Sequence, residues 1–176
     1  DFAMLHWAIL QGKKPIAIRV PSNGVNHTAE LVDTTYSFEP KYKLTHHGKD
    51  VALIAAGSFY QKGENVRQLL ARKGINATLI NPRYLNDVDA DILETLKSNH
   101  NLVVTLEDGC KDGGFGERIA AYYGTSNMKV LVKGIKKGLY DRFVLQQLLS
   151  DNRLLDEQIA EDVMEIIGNL AEQNKL

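Results

Sequence analysis

The sequence predicts an α/β fold: a doubly wound, mostly parallel five-stranded sheet, preceded by the last helix and strand of another α/β domain. Two observations carry this prediction. From residue 50 onward, short apolar runs alternate with amphipathic helical segments, which is typical of a parallel sheet covered on both faces. The length of 176 residues fits one well-cored α/β domain with an additional segment, but is short for two complete domains.

The first 24 residues are expected to be the end of a preceding domain. Residues 1–12 have the apolar spacing of a helix already under way and end at Gly12. Residues 15–20 form a short apolar run bounded by prolines, which predicts a buried parallel strand. Because such a helix needs a sheet to lie on, we expect this chain to be the C-terminal piece of a longer protein. Residues 25–44 lack sustained periodicity and are expected to be a linker.

Residues 45–176 carry the regular alternation of a second domain. Residues 41–45 predict an edge strand whose lysines protect its open side. Residues 51–56 predict a buried strand, the following helix stops at Gly74, and residues 77–80 predict the next strand.

The remainder of the domain continues this pattern. Asp89 is predicted to cap a helix, residues 102–106 to form a third buried strand, and residues 130–132 to form another strand. A glycine-rich turn and a helix ending at about residue 123 lie between the last two strands. The C-terminal helix is predicted from apolar residues at helical spacing, namely Ile159, Val163, Ile166 and Ile167.

The charge and cysteine content narrow the classes of partner. Lys and Arg number 21 against 22 Asp and Glu, and the basic residues are scattered, so neither nucleic acid nor an anionic membrane is an expected partner. The chain has one cysteine, and no apolar stretch approaches the roughly 20 residues that span a bilayer. We therefore expect a cytoplasmic protein.

The stretch TLEDGCKDGGFG, residues 105–116, has the pattern of a strand, a glycine-rich turn and the start of a helix. Backbone N–H groups at a helix N-terminus bind phosphate, so an anion site is one interpretation. The stretch lacks both the third glycine of the dinucleotide fingerprint and the Gly-Lys-Ser or Gly-Lys-Thr of a P-loop. We favour a structural turn or an interface, in which Gly113, Gly114 and Gly116 allow positive φ or close packing and Phe115 fills an interface.

Two acidic residues and a cysteine in this stretch are candidates for a catalytic role. Glu107 and Asp108 lie at the carboxyl end of a predicted strand, where ligands of open α/β sheets bind. They are either acid–base groups or, as we favour, residues that cap the next helix or meet an arginine across an interface. Cys110 needs a base to act as a nucleophile, and His100 is predicted at the opposite end of the sheet. We therefore predict no catalytic residue in this chain.

Arginines and histidines supply the remaining candidates. Arg19 follows a predicted strand, and its guanidinium is suited to a substrate phosphate or to an interdomain salt bridge. Arg83, which also follows a strand, either binds an acid or pins a loop. His46 and His47, together with His27, suggest zinc. Adjacent histidines on a strand point in opposite directions and no cysteine is near, so no metal site is predicted.

Several segments, in this order along the chain, resemble the 1-deoxy-D-xylulose-5-phosphate synthase family of transketolase-like enzymes. They are AIRVP at 17–21, GKDVALIAAG at 48–57, NPR at 81–83, TLEDG at 105–109 with GGFG at 113–116, and YDRF at 140–143. The resemblance covers nearly the whole chain and corresponds to the C-terminal third of these synthases.

The resemblance implies a homodimeric thiamine diphosphate enzyme that condenses pyruvate, with loss of carbon dioxide, with glyceraldehyde 3-phosphate. It implies that residues 1–24 end the pyrimidine-binding domain, that residues 25–44 are the linker, and that residues 45–176 form a transketolase C-terminal-like domain that braces the dimer. In this family, thiamine diphosphate and Mg²⁺ are held by domains upstream. We therefore expect this fragment to bind neither and to be catalytically silent.

One departure from the family pattern concerns the acceptor substrate. The synthases read Arg-Tyr-Pro-Arg-Gly where this chain reads RVPSNG at 19–24, so Ser22 replaces the second arginine. Arg19 is then the candidate that remains for the substrate phosphate, and the identity of the acceptor stays open. The alternatives are a transketolase or 2-oxo acid dehydrogenase E1 β-type subunit, and a non-catalytic module that binds an anion or a partner.

Overall fold

The computed structural model describes residues 2–20 and 36–173. The predicted linker falls partly outside these residues, and Ser22 and His27 fall wholly outside them. The helices and strands are, in order, α1 (Phe2–Gln11), β1 (Lys43–His46), β2 (Asp50–Ala55), a 3₁₀ turn (Gly57–Phe59), α2 (Tyr60–Ala71), β3 (Thr78–Asn81), α3 (Ala90–Leu96), β4 (His100–Cys110), α4 (Phe115–Tyr123), β5 (Lys129–Ile135), α5 (Leu145–Asp151) and α6 (Asp156–Gln173).

The strands form one sheet in the order β1-β3-β2-β4-β5. β1 is antiparallel to β3, and the other neighbours are parallel, which confirms the predicted mostly parallel five-stranded sheet. The chain moves from β2 to β3, returns past β2 to β4, and then continues outward to β5. The connections therefore diverge between the carboxyl ends of β2 and β4, which is the switch point where open α/β sheets bind ligands.

Successive side chains of β2 feed two separate hydrophobic cores, because side chains of a strand alternate between the faces of a sheet. Val51, Leu53 and Ala55 face a core completed by α2 and α6, and Ala52 and Ile54 face a core completed by α3 and α4. All five are fully buried. The continuous apolar run thus reflects a strand covered on both faces, as the sequence predicted.

Two strand predictions need correction. Residues 15–20 do not form a strand: they run without regular structure, and Val20 is 76% exposed. An apolar run becomes a strand only where a neighbour supplies hydrogen bonds, and no described strand pairs with this segment. β4 continues beyond residue 106, because Cys110 still pairs with Ile135 of β5 after an irregularity in register.

Helix α1 contacts the rest of the described chain through an aromatic cluster. The Trp7 ring centroid lies 6.1 Å from that of Tyr36 and 5.3 Å from that of Phe38. Other apolar side chains of α1 are exposed to solvent: Ile9 is 70% exposed and Leu10 is 69% exposed. Among the described helices, none combines the length and apolar character required to cross a bilayer.

Candidate functional site

Glu107 and Asp108 lie near the carboxyl end of β4, beside the switch point, and they have different surroundings. Neighbouring residues of a strand point to opposite faces of a sheet. Glu107 is buried, with 5% of its surface exposed, whereas the Asp108 side chain is 27% exposed. The two carboxylates therefore have separate partners.

The Glu107 carboxylate occupies the N-terminus of α4. Its two oxygens accept hydrogen bonds from the backbone N–H groups of Phe115, at 3.0 Å, and Gly116, at 2.9 Å. These N–H groups have no partner within the helix, and the helix dipole favours negative charge there. A buried carboxylate of the chain thus takes the position that a phosphate would occupy at this helix end.

The neighbouring N–H groups of the turn are also engaged. The N–H of Gly113 donates to Glu117 Oε2 at 2.8 Å, and the N–H of Gly114 donates to the Lys111 carbonyl oxygen at 3.1 Å. All four backbone N–H groups from residue 113 to residue 116 therefore donate to acceptors of the chain itself. A phosphate bound here would displace these acceptors and meet the negative charges of Glu107 and Glu117.

Each glycine of the turn meets a specific steric requirement. Gly113 has φ of +75°, a backbone conformation that favours glycine. A Cβ at Gly114 would lie 2.6 and 2.7 Å from the two Glu107 oxygens, and a Cβ at Gly116 would lie 2.4 Å from Thr105 Oγ1. Gly114 and Gly116 therefore leave the space that the buried carboxylate and its strand occupy.

Phe115 lies inside the domain. Its side chain is 5% exposed and belongs to the core between the sheet and α3 and α4, with its ring centroid 6.3 Å from that of Tyr42. The interface contact predicted for Phe115 is therefore a core contact, because the first residue of α4 is held against the sheet by the hydrogen bond between its N–H and Glu107.

Asp108 accepts hydrogen bonds from two polar side chains at the switch point. Its Oδ1 accepts a hydrogen bond from Arg19 Nη2 at 2.6 Å, and its Oδ2 accepts one from Ser58 Oγ at 2.8 Å. Ser58 lies in the 3₁₀ turn that follows β2, whereas Arg19 belongs to the irregular segment 15–20. The structure therefore brings Arg19 to the edge of the sheet at which open α/β sheets in general bind ligands. Ser58 was missed in the sequence, although a hydroxyl directly after the glycine that ends a buried strand marks the same edge.

Cys110 and His100 lie at opposite ends of β4, as predicted, so they form no dyad. His100 is buried, with its Nε2 2.7 Å from Thr78 Oγ1 and its Nδ1 3.2 Å from the Leu96 carbonyl oxygen. The Thr78 hydroxyl also accepts a hydrogen bond from the Gly48 N–H at 2.9 Å. This chain of hydrogen bonds fits a neutral imidazole that donates from Nδ1 and accepts at Nε2. Burial lowers the pKa of His100 and favours that neutral form.

The other candidates have local partners. His46 Nε2 lies 3.1 Å from Asn76 Oδ1 and 3.4 Å from Arg67 Nη1. In the part of the chain that the structure describes, no three histidine, cysteine or acidic side chains gather as metal ligands would. The Arg83 guanidinium donates to the Lys41 carbonyl oxygen at 2.7 and 3.2 Å, so it fastens the loop after β3 to the segment before β1.

A family model described as the transketolase C-terminal domain matches residues 41–140. Curated 1-deoxy-D-xylulose-5-phosphate synthases match over most of this chain. The synthase of Lachnoclostridium phytofermentans is 31% identical over 164 residues, 90% of this chain and 25% of its own length. That of Gloeothece citriformis is 32% identical over 155 residues, 85% of this chain and 24% of its own length.

The synthase of Dehalococcoides mccartyi strain CBDB1 is 28% identical and covers 96% of this chain and 27% of its own length. This chain therefore spans about a quarter of the length of these relatives. A solved structure described as a split gene transketolase, inactive beta4 tetramer, has a TM-score of 0.66 and 23% identity. The match covers 77% of this chain and 44% of the solved chain, and it shows that the two chains share a fold.

Proposed function

The chain belongs to the transketolase C-terminal domain family, and from this we propose that it is the C-terminal part of a thiamine diphosphate-dependent synthase. The full-length enzyme would join pyruvate, with loss of carbon dioxide, to glyceraldehyde 3-phosphate in the cytoplasm. The observation that carries the proposal is the similarity to 1-deoxy-D-xylulose-5-phosphate synthases, which extends over 85–96% of this chain.

In this proposal the chain has a structural role and braces a homodimer. Glu107 and the glycine-rich turn fix α4 against the sheet, and the turn's N–H groups are engaged within the chain. The described residues therefore offer no free donors for a diphosphate at this helix end, and we assign thiamine diphosphate and Mg²⁺ to domains outside this chain. The open apolar side of α1 is consistent with such a domain lying against it.

Arg19 is the residue we propose for contact with the substrate phosphate. Asp108 binds its Nη2, yet the Arg19 side chain remains 59% exposed at the switch point. A guanidinium has five N–H donors in a fixed plane, so the pair with Asp108 leaves donors for a phosphate. Asp108 then acts as a positioning residue, and no residue of this chain takes part in bond making.

Turnover measurements test the assignment. The full-length protein with pyruvate, glyceraldehyde 3-phosphate, thiamine diphosphate and Mg²⁺ should release carbon dioxide and form the condensed ketose phosphate, whereas the 176-residue chain alone should not. Condensation by the chain alone would refute its silent role. A full-length protein that uses a ketose phosphate donor in place of pyruvate would point to a transketolase.

The variant Arg19→Gln tests the phosphate contact within the full-length enzyme. Loss of one charge-assisted contact should raise the KM for glyceraldehyde 3-phosphate about 10- to 100-fold and leave the KM for pyruvate nearly unchanged. Lys14→Gln, which removes a positive charge that lies over the Phe38 ring instead of beside Asp108, is the matched control. Equal rises in both KM values, or an unchanged KM for the aldehyde, would remove Arg19 from this role.

The alternative of an anion-binding module makes a different prediction. If the turn binds phosphate, titration of the 176-residue chain with inorganic phosphate should shift the backbone amide NMR signals of residues 109–117. We expect these signals to stay in place, because Glu107 and Glu117 already accept hydrogen bonds from the turn. Saturable shifts at these amides would favour the binding module.

A further inference from the structure

Ser58 is held at the switch point by the pairing of β2 with β4. The N–H of Ala56 donates to the Leu106 carbonyl oxygen at 2.8 Å, which extends this pairing one residue beyond β2. Gly57 then has φ of +56°, and a Cβ there would meet no described atom within 4 Å outside its chain neighbours, so this glycine serves the turn of the backbone. Phe59 is buried, and its N–H donates to the Ala56 carbonyl oxygen at 3.1 Å. The backbone on both sides of Ser58 is therefore fixed.

The Asp108 carboxylate divides its two oxygens between different donors. Ser58 Oγ donates to Oδ2 at 2.8 Å, and Arg19 Nη2 donates to Oδ1 at 2.6 Å. Among the described residues, the Arg19–Asp108 pair has this single contact, although arginine–carboxylate pairs are frequently bidentate. The Ser58 hydroxyl accounts for the difference, because it engages the oxygen to which a second guanidinium N–H would donate.

The Ser58 hydroxyl has no proton left for a ligand. A serine hydroxyl has one proton, and Ser58 donates it to Asp108. Any effect of this hydroxyl on a phosphate therefore passes through Asp108 and Arg19. Arg19 lies in the irregular segment 15–20 and its side chain is 59% exposed, so no regular structure fixes its guanidinium. The fixed hydroxyl thus orients the carboxylate, and the carboxylate orients the guanidinium.

We propose that Ser58 is a positioning residue that keeps the Arg19–Asp108 pair open for the phosphate of the acceptor substrate. This inference rests on the proposed function, in which Arg19 contacts that phosphate. Without the hydroxyl, Asp108 Oδ2 turns to a second N–H of the guanidinium, and the pair becomes bidentate. Arg19 then has fewer donors for a phosphate, because the carboxylate occupies one side of its planar fork.

Steady-state kinetics of the full-length enzyme test the proposal. Ser58→Ala should raise the KM for glyceraldehyde 3-phosphate about 3- to 10-fold and leave kcat and the KM for pyruvate within about 2-fold, because the guanidinium contact is weakened but not removed. Ser58→Thr, which retains a hydroxyl, should keep the KM for the aldehyde within about 2-fold of the wild type. In the Arg19→Gln enzyme, Ser58→Ala should change this KM by less than about 2-fold, because Ser58 acts through Arg19.

Ser98→Ala is the matched control. The Ser98 hydroxyl also makes a hydrogen bond of 2.8 Å, but its acceptor is the Thr95 carbonyl oxygen, before β4 and at the opposite edge of the sheet. This variant should leave both KM values unchanged. An unchanged KM for the aldehyde in Ser58→Ala, no recovery in Ser58→Thr, or the same increase with and without Arg19 would each overturn the proposal.

The guanidinium NMR signals of Arg19 separate this proposal from the proposed function. In the 176-residue chain these signals, assigned by their loss in Arg19→Gln, should shift in Ser58→Ala and stay in place in Ser98→Ala. Unchanged signals in Ser58→Ala would overturn the positioning role whatever the turnover of the full-length protein. Shifted signals without synthase turnover would instead refute the proposed function and leave Ser58 as the residue that positions Arg19.

Discussion

Replacing Glu107 with glutamine tests whether a carboxylate, as opposed to the glycines, holds the β4–α4 turn together. The substitution keeps the shape of the side chain but removes its charge and one of its two acceptors. One amide oxygen can still accept from Phe115 or Gly116, while the new NH₂ group must face the other backbone N–H. One donor of α4 is then left without an acceptor in a buried place.

The structure sets the size of the effect. A hydrogen bond to a charged group contributes about 1.5–3 kcal/mol, and a partly buried charge at a helix end contributes up to about 2 kcal/mol. The neutral amide is less costly to bury than the carboxylate, which offsets part of this loss. We therefore expect Glu107→Gln to lower the free energy of unfolding by about 2–4 kcal/mol, or the Tm by about 4–16 °C for a chain of this size.

Urea unfolding followed by circular dichroism, with calorimetry for the Tm, measures this change. Glu117→Gln is the matched control, because it makes the same substitution in the first turn of α4 at an exposed side chain that accepts from Gly113. The control should cost less than about 1 kcal/mol. Equal losses in the two variants, or a gain in stability for Glu107→Gln, would refute the argument that the buried carboxylate organises the turn.

Three further predictions concern other residues of the domain. Gly116→Ala should lower the free energy of unfolding by about 2 kcal/mol or more, because its Cβ overlaps the strand. Gly109→Ala, whose Cβ has no atom nearer than 3.8 Å, should lower it by under about 1 kcal/mol. Similar losses for the two variants would contradict the packing account. Thr105→Val should change stability by under about 1 kcal/mol, because the buried Thr105 hydroxyl lacks a hydrogen-bond partner in the described residues; a larger loss in urea unfolding would reveal one. The pKa of His100 is lower in the folded chain than in the unfolded chain. As the pH drops below about 6.5, the unfolded chain takes up a proton at His100 before the folded chain does, and the free energy of unfolding should therefore fall. His100→Asn should flatten that slope in unfolding curves at pH 7.5 and 5.5, and an unchanged slope would exclude this residue as its source.

The core elements could be predicted from the sequence because their signals are local. The apolar run of β2 and the Asp89 cap of α3 specify burial and a helix start within a few residues, and the structure has both. The segment 15–20 has the same kind of apolar run and is not a strand. Strand formation depends on a hydrogen-bonding neighbour, and the local pattern of a segment does not report whether that neighbour is present.

The predicted end of β4 at residue 106 was wrong, although the partners that the sequence analysis favoured for Glu107 and Asp108, the start of the next helix and an arginine, are those that the structure has. Two consecutive acidic residues are typical of a loop, yet Glu107 and Asp108 continue the strand because each carboxylate finds donors that are distant in sequence. For Glu107 these donors are eight and nine residues away, and for Asp108 the Arg19 donor is 89 residues away. Only the assembled sheet brings these groups within hydrogen-bond distance.

A glycine-rich turn before a helix is ambiguous in sequence because the N–H groups of the helix attract any anion. Here the steric space around the glycines distinguishes a turn that binds phosphate from a turn that is closed by the chain itself. If Gly114 and Gly116 made room for a bound phosphate, their open sides would face solvent, but a Cβ at either position would meet Glu107 or its strand. The glycines thus accommodate an acidic side chain of the preceding strand. A buried glutamate eight residues before the first residue of such a helix therefore predicts a closed structural turn, whereas a glycine-rich turn without one leaves the helix N-terminus open to a ligand.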